Sequence, residues 1–163
     1  MKKAIKTRQE NSQTVEVYLI IGNQNSGKSS ATRALTGVRQ IERQWQMLYA
    51  PGAAHIKTFV HPRSLQEAPK KTPRAFVAEV RKANVKKVIV ALREASTGAN
   101  FLNAQGYADH FERQAGWIIV AQAALNGATP VTTLSSSAVA NIMGRPRATN
   151  AIAADIRKIW GLP

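Results

Sequence analysis

Val15-Glu-Val-Tyr-Leu-Ile-Ile-Gly22-Asn-Gln-Asn-Ser-Gly27-Lys28-Ser29-Ser30-Ala-Thr-Arg-Ala-Leu-Thr-Gly37 is the stretch on which the reading of this chain turns. Its head, Val15 to Ile21, is apolar and β-branched enough for a strand buried on both faces. Its tail, Lys28 to Leu35, suits a helix, with Gly37 placed to close it. Between them Gly22 and Gly27 lie five residues apart, and Lys28 and Ser29 follow directly. Glycine lets a backbone turn tightly and approach a bound group that a Cβ would obstruct. The amides of Asn25 to Ser29 would then point inward at the positive end of the helix, which attracts phosphate.

The spacing from Gly22 to Ser29 resembles the Walker A motif of the P-loop NTPases. The resemblance implies a nucleotide held by Gly22, Asn23, Gln24, Asn25, Ser26, Gly27, Lys28, Ser29 and Ser30. Lys28 would neutralise the β- and γ-phosphates, and the Ser29 hydroxyl would take a Mg²⁺ site. ATP and Mg²⁺ are therefore the expected ligands. No Asn-Lys pair occurs in the chain, so the guanine-reading motif of GTPases is absent and ATP is favoured over GTP.

Working outward, 163 residues suffice for one sheet-centred domain, expected over residues 14–163 behind a basic, mobile arm at 1–13. The arm carries Lys2, Lys3, Lys6 and Arg8 but no apolar signal segment, so cytoplasmic residence is expected. No apolar run approaches membrane-spanning length. The chain has no Cys, which excludes disulfides and thiolate metal sites, and His55, His61 and His110 lack zinc-ligand spacing. Twenty-three Lys and Arg against nine Asp and Glu give +14, a balance that favours a polyanionic partner, nucleic acid first and DNA before RNA. Between Lys57 and Arg93 ten basic residues face only Glu67 and Glu79. The expected nucleic-acid face is built from Lys70, Lys71, Arg74, Arg81, Lys82, Lys86 and Lys87, with contacts to phosphates rather than bases.

Past Gly37 the sequence alternates strand and helix signals. Ile41, Trp45 and Leu48 predict a short helix over Val38 to Tyr49, and Ile56 to His61 predicts a strand. Pro62 to Lys71 is a charged loop with Pro62 and Pro69. Thr72-Pro73 opens the next helix as N-cap and first residue, with Phe76, Val77, Val80 and Ala83 as its apolar stripe. Val88 to Leu92 suits a central parallel strand. A helix over Leu102 to Gln114, a strand from Trp117 ending at Gln122, a turn at Asn126-Gly127 and a short strand at Val131 to Leu134 follow. Ser135 or Ser136 predicts a helix running to Met143, and Asn150 to Trp160 a last helix ended by Gly161. The expected fold is α/β: a P-loop NTPase-like three-layer sandwich, with about five largely parallel strands between helices on both faces.

Ligands in such sheets sit at the carboxyl ends of the strands. After Val88 to Leu92 the resemblance leads one to expect an Asp-Glu pair, and the chain has Arg93-Glu94. Glu94 is the candidate carboxylate that orients the attacking water, with a solvated loop position as its alternative, and the missing Asp puts direct Mg²⁺ support in doubt. Gln122, after Trp117-Ile-Ile-Val-Ala, resembles the γ-phosphate-sensing Gln of the DNA-translocating and viral genome-packaging ATPases. A polar strand residue bonded to a neighbouring loop explains Gln122 equally well. Arg145 and Arg147, in Gly144-Arg-Pro-Arg, are candidates for an arginine finger reaching a neighbouring subunit, which would imply a homo-oligomer, with a solvated or nucleic-acid-contacting turn as the alternative. These residues together predict an ATP-hydrolysing enzyme that acts on nucleic acid, of the DNA packaging or translocation type, with Lys28, Glu94, Gln122 and Arg145 catalytic. The alternatives are a small-molecule or nucleotide kinase, with Arg63 to Arg74 as a lid, and a nucleotide-binding module without turnover.

Overall fold

The computed structural model describes residues 13–37, 45–48, 56–67 and 69–162. The basic arm, apart from Gln13, lies outside them, as does most of the helix expected over 38–49. In chain order the elements are β1 (Val15–Gly22), α1 (Lys28–Thr36), β2 (Trp45–Leu48), β3 (Ile56–His61) and α2 (Pro73–Ala83). They continue as β4 (Lys87–Arg93), α3 (Ala104–Glu112), β5 (Trp117–Leu125), β6 (Ala138–Ile142) and α4 (Thr149–Trp160).

One sheet in the order β2-β3-β4-β1-β5-β6 carries the molecule. Five of its strands are parallel, and β2 joins the β3 edge antiparallel, with Trp45 opposite Phe59. The quoted stretch therefore supplies the central strand. Period-two alternation sends Val15, Val17, Leu19 and Ile21 to one face and Tyr18 and Ile20 to the other. On the first face they meet Phe76, Val77 and Val80 of α2 and Tyr107, Ala108 and Phe111 of α3. On the second they meet Ala31 and Leu35 of α1 and Ile152, Ala153, Ile156 and Trp160 of α4. Apart from Glu16 near its start, β1 is apolar because helices cover both of its sides, as parallel strands require.

Three sequence expectations fail here. Trp45–Leu48, assigned to a helix by the 41/45/48 spacing, is instead a strand paired with β3. Ala138–Ile142, assigned to a Ser-capped helix, is strand β6, with Ala140 and Ile142 buried and Val139 and Asn141 exposed. Val131 to Leu134 has no strand partner, and side chains hold its backbone instead. The other elements stand within a few residues of expectation, and Thr72 does cap α2, its side chain accepting from the Ala75 amide. Among the described residues no helix is long and apolar enough to cross a membrane.

Candidate functional site

The carboxyl end of β1 runs into the loop Gly22–Gly27, and α1 starts at Lys28. The chain reverses through left-handed residues Asn25 (φ 61°) and Gly27 (φ 94°). A Cβ at Gly22 would collide with Ser26 Oγ, so the first motif glycine is required by the loop's own fold. Gly27 is the N-cap of α1 and offers no side-chain cap, and the first turn carries no acidic residue. The leading amides of a helix have no intrahelical acceptors and concentrate its positive potential. Their residues line a cleft of about 220 Å³ formed by Gln24, Asn25, Gly27, Lys28, Ser29, Ser30, Glu67 and Arg145.

Lys28 is 4% exposed. Its Nζ donates to Asn23 O at 2.7 Å, folding back along the loop, and stands 3.9 Å from Glu67 Oε1. Burial pushes its pKa below the ordinary lysine range; Glu67 opposes the shift and Arg93 adds to it. Ser26 Oγ is buried in the same loop with no hydrogen-bond partner.

A second segment closes over the loop from the other side of β1. Gly144 packs so tightly on Ser26 O that a Cβ there would clash with that carbonyl. Arg145 N donates to Ser26 O at 3.1 Å, and its guanidinium Nη2 reaches Ser30 Oγ at 3.1 Å. Asn126, in the turn after β5, fixes this approach: its Oδ1 accepts from Gly144 N at 2.7 Å and its Nδ2 donates to Arg145 O at 2.9 Å. Arg145 thus lies over the loop of its own chain. Arg147 is bonded to Asp155 of α4 at 2.6 Å.

The strand-end carboxylate also differs from expectation in its surroundings. Glu94 Oε2 accepts from Asn23 Nδ2 at 3.2 Å and Oε1 from Thr129 N at 3.0 Å. Both oxygens are engaged, Glu94 is absent from the cleft lining, and Thr129 first, with Asn23, holds its pKa below the carboxylate range. Gln122 is 1% exposed and sits three residues before the end of β5, opposite Leu19 rather than Gly22. Its amide bonds Val131 in both directions, at 2.9 and 2.7 Å, and donates to Ser137 Oγ. All three of these bonds run to the 131–137 segment, which favours the alternative reading of Gln122 as a buried strand residue bonded to a neighbouring loop.

Two residues escaped the sequence reading. Glu67 and Arg93 meet beside Lys28, with Arg93 Nε 3.9 Å from Glu67 Oε1 and Arg93 Nη2 donating to Gln24 Oε1 at 3.2 Å. Arg93 looked like a departure from a pattern; its register opposite Gly22 on the strand beside β1 puts it at the loop. Glu67 sits in the segment once read as a lid, but Ser64, Leu65 and Gln66 there are fully buried against β4.

The basic residues are spread along α2 and its flanks. Arg74, Arg81, Lys82 and Lys86 are exposed. Lys70 lies over the Phe101 ring, Lys71 is paired with Glu79 at 2.7 Å, and Lys87 with Glu16 at 3.7 Å. Among the described residues no group of three His, Asp or Glu side chains could hold a metal ion, and Ser29 is one of the residues that line the cleft. Comparison of the chain with protein-family models, curated proteins and solved structures found no match.

Proposed function

We propose that this chain binds ATP with Mg²⁺ at Gly22–Ser30 and hydrolyses it, with nucleic acid as the partner of its basic side. On this reading the fold is a P-loop NTPase-like three-layer sandwich. One observation carries the proposal: a helix start without side-chain cap or acidic residue, entered through a left-handed turn, with the buried ammonium of Lys28 beside it. Such an end attracts an anion through its amides and its dipole. A phosphate would draw Lys28 Nζ from Asn23 O and replace a neutral acceptor by a charged one, which roughly doubles the strength of the bond.

Arg145 adds a second cation from the same chain, and Arg93 a third at the rim. Ser29 fits Mg²⁺ as a hydroxyl ligand in the cleft; when bound, the ion would offset phosphate charge. The likeness to the packaging and translocating ATPases keeps the loop, while Gln122 is bonded to the 131–137 segment. A phosphotransferase has one observation in its favour. Glu67, from the loop after β3, meets Arg93 at the end of β4 as an acid–Arg pair beside the cleft.

The test is ATP binding by calorimetry to the parent and to Lys28→Ala, with folding checked by circular dichroism. Loss of a charge-assisted bond worth about 1.5–3 kcal/mol predicts roughly 10- to 100-fold weaker binding. Equal affinity in a folded variant overturns the site. Transfer of the γ-phosphoryl to an added hydroxyl acceptor, in preference to water, would favour the phosphotransferase.

A further inference from the structure

The chemistry proposed above needs a carboxylate facing the attacking oxygen, and Glu94 is poorly placed to be it. Its two oxygens hold Asn23 and Thr129, and those same bonds make it a weaker proton acceptor. Most other described carboxylates are engaged away from the cleft: Glu16 with Lys87, Glu79 with Lys71, Asp155 with Arg147, Asp109 with Gln105, Glu112 with Leu134 N. Glu67 is the exception. It lines the cleft, its side chain is 29% exposed, and its nearest cations, Lys28 and Arg93, both stand at 3.9 Å, beyond hydrogen-bond distance.

Its backbone is held with unusual care for a loop. Leu65 N donates to Ala91 O on β4. The buried Gln66 amide bonds Arg93 in both directions and Leu102 O besides, while Thr97 Oγ1 donates to Gln66 O. Glu67 N donates to Ser64 O. The result is a carboxylate fixed beside the lysine where the terminal phosphates would sit. Anion faces anion there, which is unfavourable unless a positive group or a proton stands between them. A nucleophile's hydrogen is such a group.

We infer that Glu67, supplied by the loop after β3, is the residue that orients the attacking oxygen and accepts its proton. The inference rests on the nucleotide reading above. In the step, a water oxygen forms a bond to the γ-phosphorus while one of its protons passes to a Glu67 oxygen. The bond from the γ-phosphorus to the β,γ-bridging oxygen breaks, its electron pair leaving with ADP. Glu67 then returns the proton to solvent. A hydroxyl acceptor would use the same carboxylate in the same way. Glu94 is a positioning residue, bracing Asn23 against the 129 segment.

The full chain is tested with Mg·ATP in three arms: equilibrium binding, single-turnover hydrolysis, and Mg²⁺ titration of the rate. Glu67→Gln should bind ATP within about threefold of the parent while hydrolysis falls ~10²-fold or more, the scale of a lost general base. Hydrolysis should fall furthest in Glu67→Gln, less in Glu94→Gln, and should be partly retained in Glu67→Asp, which keeps a carboxylate at a shorter reach. Hydrolysis by Glu67→Gln at the parent's rate overturns the inference while leaving ATP binding intact. Rescue of Glu67→Gln by raised Mg²⁺ would also overturn it, placing Glu67 on the metal's water shell. A parent that binds ATP without turnover retires the proton-accepting role alone, whereas one that binds no ATP overturns the nucleotide reading itself.

Discussion

At the scale of single residues the molecule places several ionisable groups where water would normally solvate them. His61, last residue of β3, is buried edge-on to Phe76, and its Nδ1 donates to Arg63 O at 2.5 Å. Burial holds its pKa down to about 4, with Lys71 and Arg63 lowering it further and the Arg63 carbonyl bond and Glu79 opposing. The folded-state value is thus depressed below the unfolded 6.5, so between the two the unfolded chain binds a proton that the folded chain does not. Stability from this site is complete above pH 6.5 and drains away as pH falls towards 4, by up to about 3 kcal/mol at 1.36 kcal/mol per unit. Urea unfolding at pH 7, 5.5 and 4 should show the loss, and His61→Leu should flatten it; an equal pH dependence in that variant would remove His61 as the cause. Arg145 makes a different prediction. Being exposed, it contributes little to folding, but its guanidinium reaches over the loop to Ser30. Arg145→Ala should therefore weaken ATP binding about tenfold, with the unfolding midpoint unchanged, as suits a partly solvated charged bond. The check is calorimetry beside thermal melting, and unchanged ATP affinity would reduce Arg145 to a structural contact.

At the scale of elements, the segment between β5 and β6 shows how side chains replace a sheet partner. Gln122 pairs Val131 in both directions, Gln105 of α3 pairs Thr132 in both directions, and Glu112 accepts from Leu134 N. Glu94 takes Thr129 N at the cleft end. Removing Gln122 leaves the amide and carbonyl of Val131 buried and unpaired, at roughly 1–3 kcal/mol for each group. Gln122→Ala should thus cost roughly 2–4 kcal/mol of unfolding free energy while ATP affinity stays near the parent's. Lost nucleotide affinity with unchanged stability would favour the sensing role. The same segment explains what sequence could and could not reveal. The Gly22–Ser29 loop was legible because its turn, its close contact with Ser26 and its buried lysine are all written in consecutive residues. α2 was legible from Thr72-Pro73 and one apolar stripe. β6 was not, because Ala-Val-Ala-Asn-Ile is too short to separate a helix from a strand, and the neighbouring edge of β5 decides between them. β2 follows the same rule at the β3 edge. Glu67 and Arg93 were invisible as a pair because 26 positions separate them, and only the adjacency of β3 and β4 brings them together.

At the scale of the whole molecule the governing quantity is the charge of +14 and where it lies. Counter-charges are spent unevenly. Glu79 engages Lys71 and Glu16 engages Lys87, so these two lysines already have acidic neighbours. Arg74, Arg81 and Lys82, by contrast, project from the solvent side of α2, opposite Phe76, Val77 and Val80, and Lys86 follows on the connection to β4. The expected basic face therefore contracts to α2 and its carboxyl end. On the proposal that nucleic acid binds there, affinity should be nearly indifferent to base sequence, since flexible cations on one helix face meet phosphates and read no base edge. Binding to duplex DNA should weaken with salt by about 0.9 units of log K per phosphate neutralised. Replacing Arg74, Lys82 and Lys86 together by Ala should flatten that slope by up to ~3 units if each meets a phosphate. Replacing Lys71 and Lys87 should flatten it less, because each is held by its carboxylate partner. ATP binding should be unaffected by either set, since none of these residues lines the cleft. The measurement is a titration of duplex and single-stranded DNA and RNA at several salt concentrations, for the parent and both variants. Equal slopes in the parent and the Arg74/Lys82/Lys86 variant would move the interface off α2. Absence of binding at low salt would leave the charge to a different polyanion.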